Sequence, residues 1–405
     1  MNERSMEELA KLVKGIYGVD KSKDSCAREK ATQLVRGYSG YDRQTGAIGV
    51  PIYQSSMFVH EEYGTSTGFG YSRYGNPTRL ELEDTIAMLE HGVKAFAYSS
   101  GMTAESILLK LFKTGDHIIV SDDLYGGTFR LFSLIYGEQY GLEFSYVSTN
   151  DIGEIKKAVK PSTKAVFIET PSNPMMKVTD IRAAADVIHD AGGLLIVDNT
   201  FLSPYLQNPV DFGADIVVHS GTKYLCGHND TLAGFIVLAD SRLIEKIFTF
   251  TMSEGGVLSP FDSYMMLRSF KTLAVRMEKQ QENAFKIFQF LKNHNKISDV
   301  YYVGDPNHPE YEISRKQARG FGGMISFKVK NPDEIPNILN KLKLVLFAES
   351  LGGCETFLTY PIMQTHGAIP EEMRKAVGVG EDLLRLSVGI ESVNEIIEDL
   401  QQAIG

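Results

Sequence analysis

The chain has 405 residues, 43% hydrophobic and 23% charged, and its 41 basic and 51 acidic side chains leave a formal charge of −10. That balance is globular, the length exceeds one ordinary core, and an acidic excess without any Lys/Arg run excludes a nucleic-acid surface. No apolar stretch approaches the ~20 residues needed to span a bilayer, and the mixed-charge N-terminus lacks a signal-type apolar block. Cys26, Cys226 and Cys354 are far apart and the nine histidines show no HxxxH or HExxH pattern, so no metal is expected and a reducing cytoplasm is the predicted compartment.

In chain order, Met6, Leu9, Leu12, Val13, Ile16 and Tyr17 fall at helical spacing and predict an opening helix. Residues 37–75 are rich in Gly, Ser, Thr and Tyr without periodicity, which predicts an irregular arm. From Asn76 short apolar runs recur: Lys94 to Tyr98, His117 to Val120, Ala165 to Ile168, Leu194 to Val197 and Ile216 to Val218. Helical segments such as Thr103 to Phe112 and Thr179 to Ala191 lie between them. Near-continuous apolar strands alternating with helices predict an α/β unit whose mainly parallel sheet is covered on both faces. Ser263 to Leu291 reads as one linking helix. Gly323 to Val329 and Leu383 to Val388 read as strands and Val393 to Ile404 as a helix, a smaller α+β unit. The expected division is an arm over 1–75, a large domain over 76–265 and a C-terminal domain over 266–405.

Ligands of such sheets bind beyond the carboxyl ends of the strands. All five ends here are polar or small, where a strand taken singly could simply be turning. One delivers a carboxylate, Asp198. The next delivers two hydroxyls and an amine, Ser220, Thr222 and Lys223, with the lysine 25 positions after the aspartate. An acid, a hydroxyl cluster and a lysine at neighbouring strand ends are what pyridoxal 5'-phosphate requires for its ring nitrogen, its phosphate and its covalent attachment. Ser100-Gly101-Met102 opens a helix and suits the phosphate, because Gly101 permits close backbone approach and the first turn has unpaired N–H groups. No Gly-Lys-Ser/Thr follows it, so it is not a Walker loop. Gly68 to Arg73 lacks the third glycine and the preceding strand of a dinucleotide fingerprint.

These residues carry a resemblance. Tyr71-Ser72-Arg73-Tyr74-Gly75-Asn76-Pro77-Thr78, Ser100-Gly101-Met102, Tyr125-Gly126-Gly127-Thr128, Pro171-Ser172-Asn173-Pro174, Val197-Asp198-Asn199-Thr200-Phe201, Ser220 to Tyr224, Ala348 to Gly353 and Arg385 to Gly389 stand in the order of the Cys/Met-metabolism, or transsulfuration, family of pyridoxal-phosphate enzymes, which the chain resembles over roughly residues 35 to 400. The resemblance implies an aspartate-aminotransferase-like (type I) fold. It also implies a homotetramer of two dimers with active sites shared between subunits. It assigns Lys223 to covalent attachment and proton transfer, Asp198 to the ring nitrogen, Tyr125 to the ring face and Asn173 to the ring hydroxyl. Gly101, Met102, Ser220 and Thr222 would hold the phosphate, joined by Tyr71 and Arg73 from the neighbouring subunit. Arg385 would bind the substrate carboxylate with help from Ser350.

Members of this family differ in leaving group and second nucleophile. Arg130, five residues after Tyr125, and Glu349, before Ser350, occur together in members that handle cystathionine, where one partner of each sign suits a zwitterionic end. An apolar residue before the serine and a cysteine at the place of Gly127 would resemble methionine γ-lyases, and this chain has neither. The segments 227–234, 258–264 and Thr359 to His366, including Thr365 at the substrate side, most resemble bacterial cystathionine γ-synthases. The expected reaction is therefore γ-replacement on an O-acylhomoserine by cysteine, with sulfide as a further acceptor. Cystathionine γ- or β-lyase, O-acylhomoserine sulfhydrylase and methionine γ-lyase are the alternatives. A non-catalytic regulatory protein is disfavoured, since Lys223, Asp198, Tyr125 and Arg385 all stand.

Overall fold

The computed structural model describes residues 28–405. The helix expected over Met6 to Tyr17 lies outside the described residues. After a short helix α1 (Lys30–Arg36), residues up to 76 form an irregular arm, and α2 (Pro77–Leu89) opens the regular part of the chain. Asn76 starts α2: its side chain accepts from the Thr78 and Arg79 N–H groups, and Pro77 follows at the first helical position.

Seven strands make the large sheet: β1 (Lys94–Tyr98), β2 (His117–Ser121), β3 (Glu143–Val147), β4 (Thr163–Glu169), β5 (Leu194–Asp198), β6 (Ile216–Ser220) and β7 (Gly234–Leu238). Their spatial order is β1-β7-β6-β5-β4-β2-β3. The pairs from β6 across to β3 are parallel, whereas β7 is antiparallel to both β6 and β1. The sheet is thus mainly parallel, as expected, with one reversed strand that sequence reasoning did not anticipate. Its consequence is geometric: two reversals put β1 back in the sense of β6, so both end at the same edge.

Alternate residues feed two cores. Val197, Val217, Phe235 and Val237 pack on one face with Leu82, Ile86 and Ile188. Ile196, Ile216, Val218 and Ile236 pack on the other with Ile107, Leu108 and Phe132. A strand buried on both faces needs no polar side, which is why these runs are apolar throughout. The edge strand β3 is half-exposed and carries no such run, so it was not foreseen.

The expected single helix over Ser263 to Leu291 is two: Pro260–Phe270 and Leu273–Lys292. The Arg276 guanidinium bonds the carbonyls of Ser269 and Tyr224, and its Nε bonds the Thr272 hydroxyl, tying the start of the second helix to the end of the first and to the turn after Lys223. A second sheet of five strands follows, β8 (Ile297–Tyr301), β9 (Met324–Val329), β10 (Leu346–Phe347), β11 (Phe357–Thr359) and β12 (Leu383–Ser387), in the order β10-β11-β12-β9-β8. Ile287 and Phe288, with Ile396 and Leu400 of the C-terminal helix, seal it against Phe327, Leu384 and Leu386. Among the described residues no helix is long and apolar enough to cross a membrane.

Candidate active site

The ends of β1, β6 and β5 meet at one edge of the large sheet. Helix α3 (Gly101–Leu109) begins directly after β1, two residues earlier than the sequence pattern suggested. Ser100 caps it, its hydroxyl accepting from Thr103 N–H at 3.1 Å. A Cβ on Gly101 would lie 3.0 Å from the Ser220 Cβ, and one on Gly234 would lie 2.0 Å from the Ser100 carbonyl oxygen. Only glycines let the start of α3, the end of β6 and the start of β7 come so close. The first-turn N–H groups of α3, including those of Gly101 and Met102, therefore share this corner with Ser220. Thr222 is tied down beside it by hydrogen bonds in both directions with the Ala233 backbone.

Lys223 follows one residue later. Its Nζ donates to Ser350 Oγ at 2.7 Å. Burial, then the Arg385 charge, lowers its pKa to about 8, against an opposing pull from Glu349. Ser350 holds a left-handed backbone (φ 83°), unusual for a residue with a Cβ. Its carbonyl accepts from Arg385 Nη2 at 2.8 Å, while Arg385 Nη1 donates to Asn173 Oδ1 at 2.8 Å. Arg385 lies on β12, in the other sheet, and is 1% exposed. Burial lowers its pKa to about 10, and Nε is left without a partner. Asp198 ends β5. Its Oδ1 accepts from Thr200 N–H at 2.9 Å, and burial pushes its carboxyl up, against Thr200 and the field of His219. It makes no ion pair among the described residues.

Tyr125 lies past the end of β2, its N–H donating to Glu169 Oε2 at 3.0 Å. Its ring folds back over Gly127, where a Cβ would stand 2.3 Å from Tyr125 Cε1. Gly126 is pressed just as closely by the Thr365 carbonyl oxygen, also 2.3 Å from a Cβ there. Arg130 and Glu349 act on the Tyr125 hydroxyl with opposite sign: Arg130 lowers its pKa, Glu349 raises it, and burial prevails. Both side chains are exposed.

Sequence reasoning missed three buried residues here. His366 sits in a quoted segment but was given no role. Its Nδ1 lies 2.7 Å from Thr365 Oγ1 and its Nε2 3.0 Å from the Asn173 carbonyl oxygen. The carbonyl can only accept, so Nε2 carries the hydrogen and Nδ1 accepts from Thr365. Burial and Arg385 lower the His366 pKa to about 4 and keep the ring neutral. The other two are Glu169, which holds Tyr125, and Glu105, which accepts from Thr128 Oγ1 at 3.0 Å. No local pattern distinguishes either from a surface acid.

Two predicted residues are not brought to Lys223 within this chain. Tyr71 pairs with Met57 in an isolated bridge, and the Arg73 guanidinium stands 5.3 Å from the ring centroids of both Tyr71 and Tyr74.

The remaining residues fit pyridoxal phosphate. Asp198 is a half-buried acid without an ion pair among the described residues, α3 and Ser220 offer phosphate donors, Tyr125 presents a ring, and Lys223 is an amine of lowered basicity.

Comparison with known proteins agrees. Residues 31–405 match the family described as Cys/Met metabolism PLP-dependent enzyme. The cystathionine gamma-lyase of Bacillus subtilis (strain 168) is 45% identical over 376 residues, covering 93% of this chain and 99% of that protein. The cystathionine gamma-synthase/O-acetylhomoserine (thiol)-lyase of the same strain is 48% identical over 373 residues, covering 92% and 95%. Among solved structures, cystathionine gamma-lyase from Lactobacillus plantarum complexed with L-serine superposes with a TM-score of 0.90 at 42% identity, covering 93% of this chain and 98% of that one.

Proposed function

The chain belongs to the Cys/Met-metabolism PLP-dependent enzymes, and from that premise we propose that it is a cystathionine γ-synthase, replacing the acyloxy group of an O-acylhomoserine by cysteine, with sulfide as an alternative acceptor. The carrying observation is the pair of opposite charges, Arg130 and Glu349, that both act on Tyr125. A distal ammonium and carboxylate need one partner of each sign, and this pair supplies them around Tyr125, with Glu349 also acting on Lys223.

Pyridoxal 5'-phosphate supplies an electron sink conjugated to the substrate Cα. Asp198 would keep the ring nitrogen protonated, and Tyr125 would orient the ring. Asn173 would bond the ring hydroxyl, while Gly101, Met102, Ser220 and Thr222 would hold the phosphate through N–H and O–H donors. Arg385, held by Asn173 and Ser350, clamps the substrate carboxylate. Lys223 Nζ removes the Cα proton and then a Cβ proton; a pKa of about 8 suits it to both taking and returning them near neutral pH. Thr365 closes the substrate side.

A homotetramer with shared sites completes the reading, with the arm (1–75) bringing Tyr71 and Arg73 to the phosphate of the large domain (76–265) of a neighbour. The arm's exposed apolar residues, Met57, Val59, Tyr63 and Tyr71 among them, support such a contact. The C-terminal domain (266–405) brings Arg385. A cytoplasmic location belongs to the same reading.

Cleavage of cystathionine by a γ- or β-lyase is the second reading, because the Arg130–Glu349 pair would hold the same zwitterion, and a 45% identical relative is named cystathionine gamma-lyase. Supplying O-acetyl- or O-succinylhomoserine with cysteine, and in parallel cystathionine alone, separates the two. Cystathionine and the free acid are the expected products of the first. Rapid cleavage in the second without synthesis in the first would overturn the assignment.

A further inference from the structure

Glu105 has no part in the mechanism above, yet it is buried in the middle of the site. It lies four residues after Gly101, hence on the same face of α3. The residue is 6% exposed. Oε1 accepts from Thr128 Oγ1, and Oε2 is buried without any protein partner.

The surroundings are anionic. Asp198 acts on Glu105 directly and raises its pKa, which burial has already lifted, to about 8. Glu169, the register neighbour of Asp198 on β4, is also 6% exposed, and burial and the Asp198 charge push it well above the usual carboxylate range. Asp123, from the loop after β2, faces Glu169, and Tyr125 faces Glu105. The cations are fewer. His219 faces Asp198 but is bonded to the Glu90 carboxylate, Arg385 faces Glu169, and Arg130 faces Tyr125. An ionised Glu105 would therefore be a buried charge with one donor and a like-charged neighbour, an arrangement folded proteins avoid by protonation.

We infer that Glu105 is a positioning residue of the cofactor site that acts as a neutral acid: Oε1 accepts from Thr128, the proton rests on the buried, unpartnered Oε2, and of the pair Asp198 alone carries the negative charge at the ring-nitrogen end. The pair behaves as one anion rather than two, with the proton on the member that has no backbone N–H donor. Asp198 has that donor in Thr200 N–H and keeps the charge. The inference rests on the cofactor site alone and not on which carbon–sulfur reaction follows.

Glu105→Gln keeps a neutral, hydrogen-bonding side chain of the same length and is the discriminating variant. Infrared difference spectra of cofactor-loaded enzyme at neutral pH, wild type minus Glu105→Gln, should show a protonated-carboxyl stretch present only in the wild type. Cofactor affinity of Glu105→Gln should stay within about threefold of wild type, while Glu105→Ala should lose about tenfold or more. Loss of an ionised-carboxylate band instead, or undiminished affinity in Glu105→Ala, would overturn it. Should either variant fail to fold, the same difference spectrum of wild type minus Thr128→Val, which removes the donor to Glu105 Oε1, decides. A shifted protonated-carboxyl band supports the neutral acid, and a shift confined to an ionised-carboxylate band refutes it.

Discussion

Burial acts on Lys223 and Glu105 in opposite directions because it penalises whichever form is charged. For Lys223 the amine pKa falls to about 8. In cofactor-free enzyme at that pH it should be acetylated well ahead of exposed lysines, which mass spectrometry of competitively labelled protein reads directly; labelling that follows the ordinary lysine titration would count against the lowered basicity. For Glu105 the folded pKa of about 8 lies above the ordinary glutamate value, so the folded state binds the extra proton between the two. Its contribution to stability is complete below the ordinary value and is lost as pH rises through about 8. Glu105→Gln should therefore be more stable than wild type above that pH, by several kcal/mol, with the gap closing on acidification. Denaturant unfolding at several pH values measures this, and parallel pH profiles would refute it. At Glu349 the expectation concerns substrate. Glu349→Gln should raise the KM for cysteine about tenfold or more, as loss of a charge-assisted bond implies, and leave sulfide nearly unaffected. An equal effect on both acceptors would remove its proposed role.

At the scale of elements, glycines decide how closely the strand ends and loops approach. Gly234 admits the carbonyl of Ser100, Gly126 admits that of Thr365, and Gly127 lies beneath the ring of Tyr125. Gly127→Ala places a methyl group within 2.3 Å of the ring. The displaced Tyr125 should cost cofactor binding about 1–3 kcal/mol with the far-ultraviolet circular dichroism unchanged. Wild-type affinity in a spectroscopic cofactor titration would show that the ring does not depend on this contact. The apolar runs of β2, β4, β5 and β6 were readable because strands buried on both faces have no polar residues to interrupt them. The reversed direction of β7 was not, since hydrophobic pattern is the same for either sense. Nor was the break before Leu273, across which Arg276 reaches Ser269 and Tyr224, residues set by the tertiary fold.

At the scale of the whole molecule, two sheets with separate cores contribute to one site. β5 and β6 bring Asp198 and the Lys223 turn, and β12 brings Arg385 across to Asn173 and Ser350. The proposed contribution of Arg73 from a neighbouring subunit adds a second chain. If sites are shared, Lys223→Ala and Arg73→Ala enzymes, each nearly inactive alone, should regain about a quarter of wild-type activity after co-refolding, because half of random dimers are hybrids with one of two sites intact. No recovery, with mixed subunits verified by mass, would place Arg73 in its own chain's site.

The sequence alone determined the α/β alternation, the sheet edge that the polar strand ends share, and the acid, hydroxyls and lysine that the fold gathers there. These are local properties: a strand's apolar run and the polar residues at its end are adjacent in the chain. Tertiary structure decided which residues far apart in sequence share a charge environment. Lys223 meets Ser350, Arg385 meets Asn173, and His366 locks its turn to the Asn173 carbonyl. Glu105 reads as one more helix glutamate until α3 is packed on the sheet. Burial and field strength depend on what surrounds a group in three dimensions, so only the fold separates a solvated acid from one that must keep its proton.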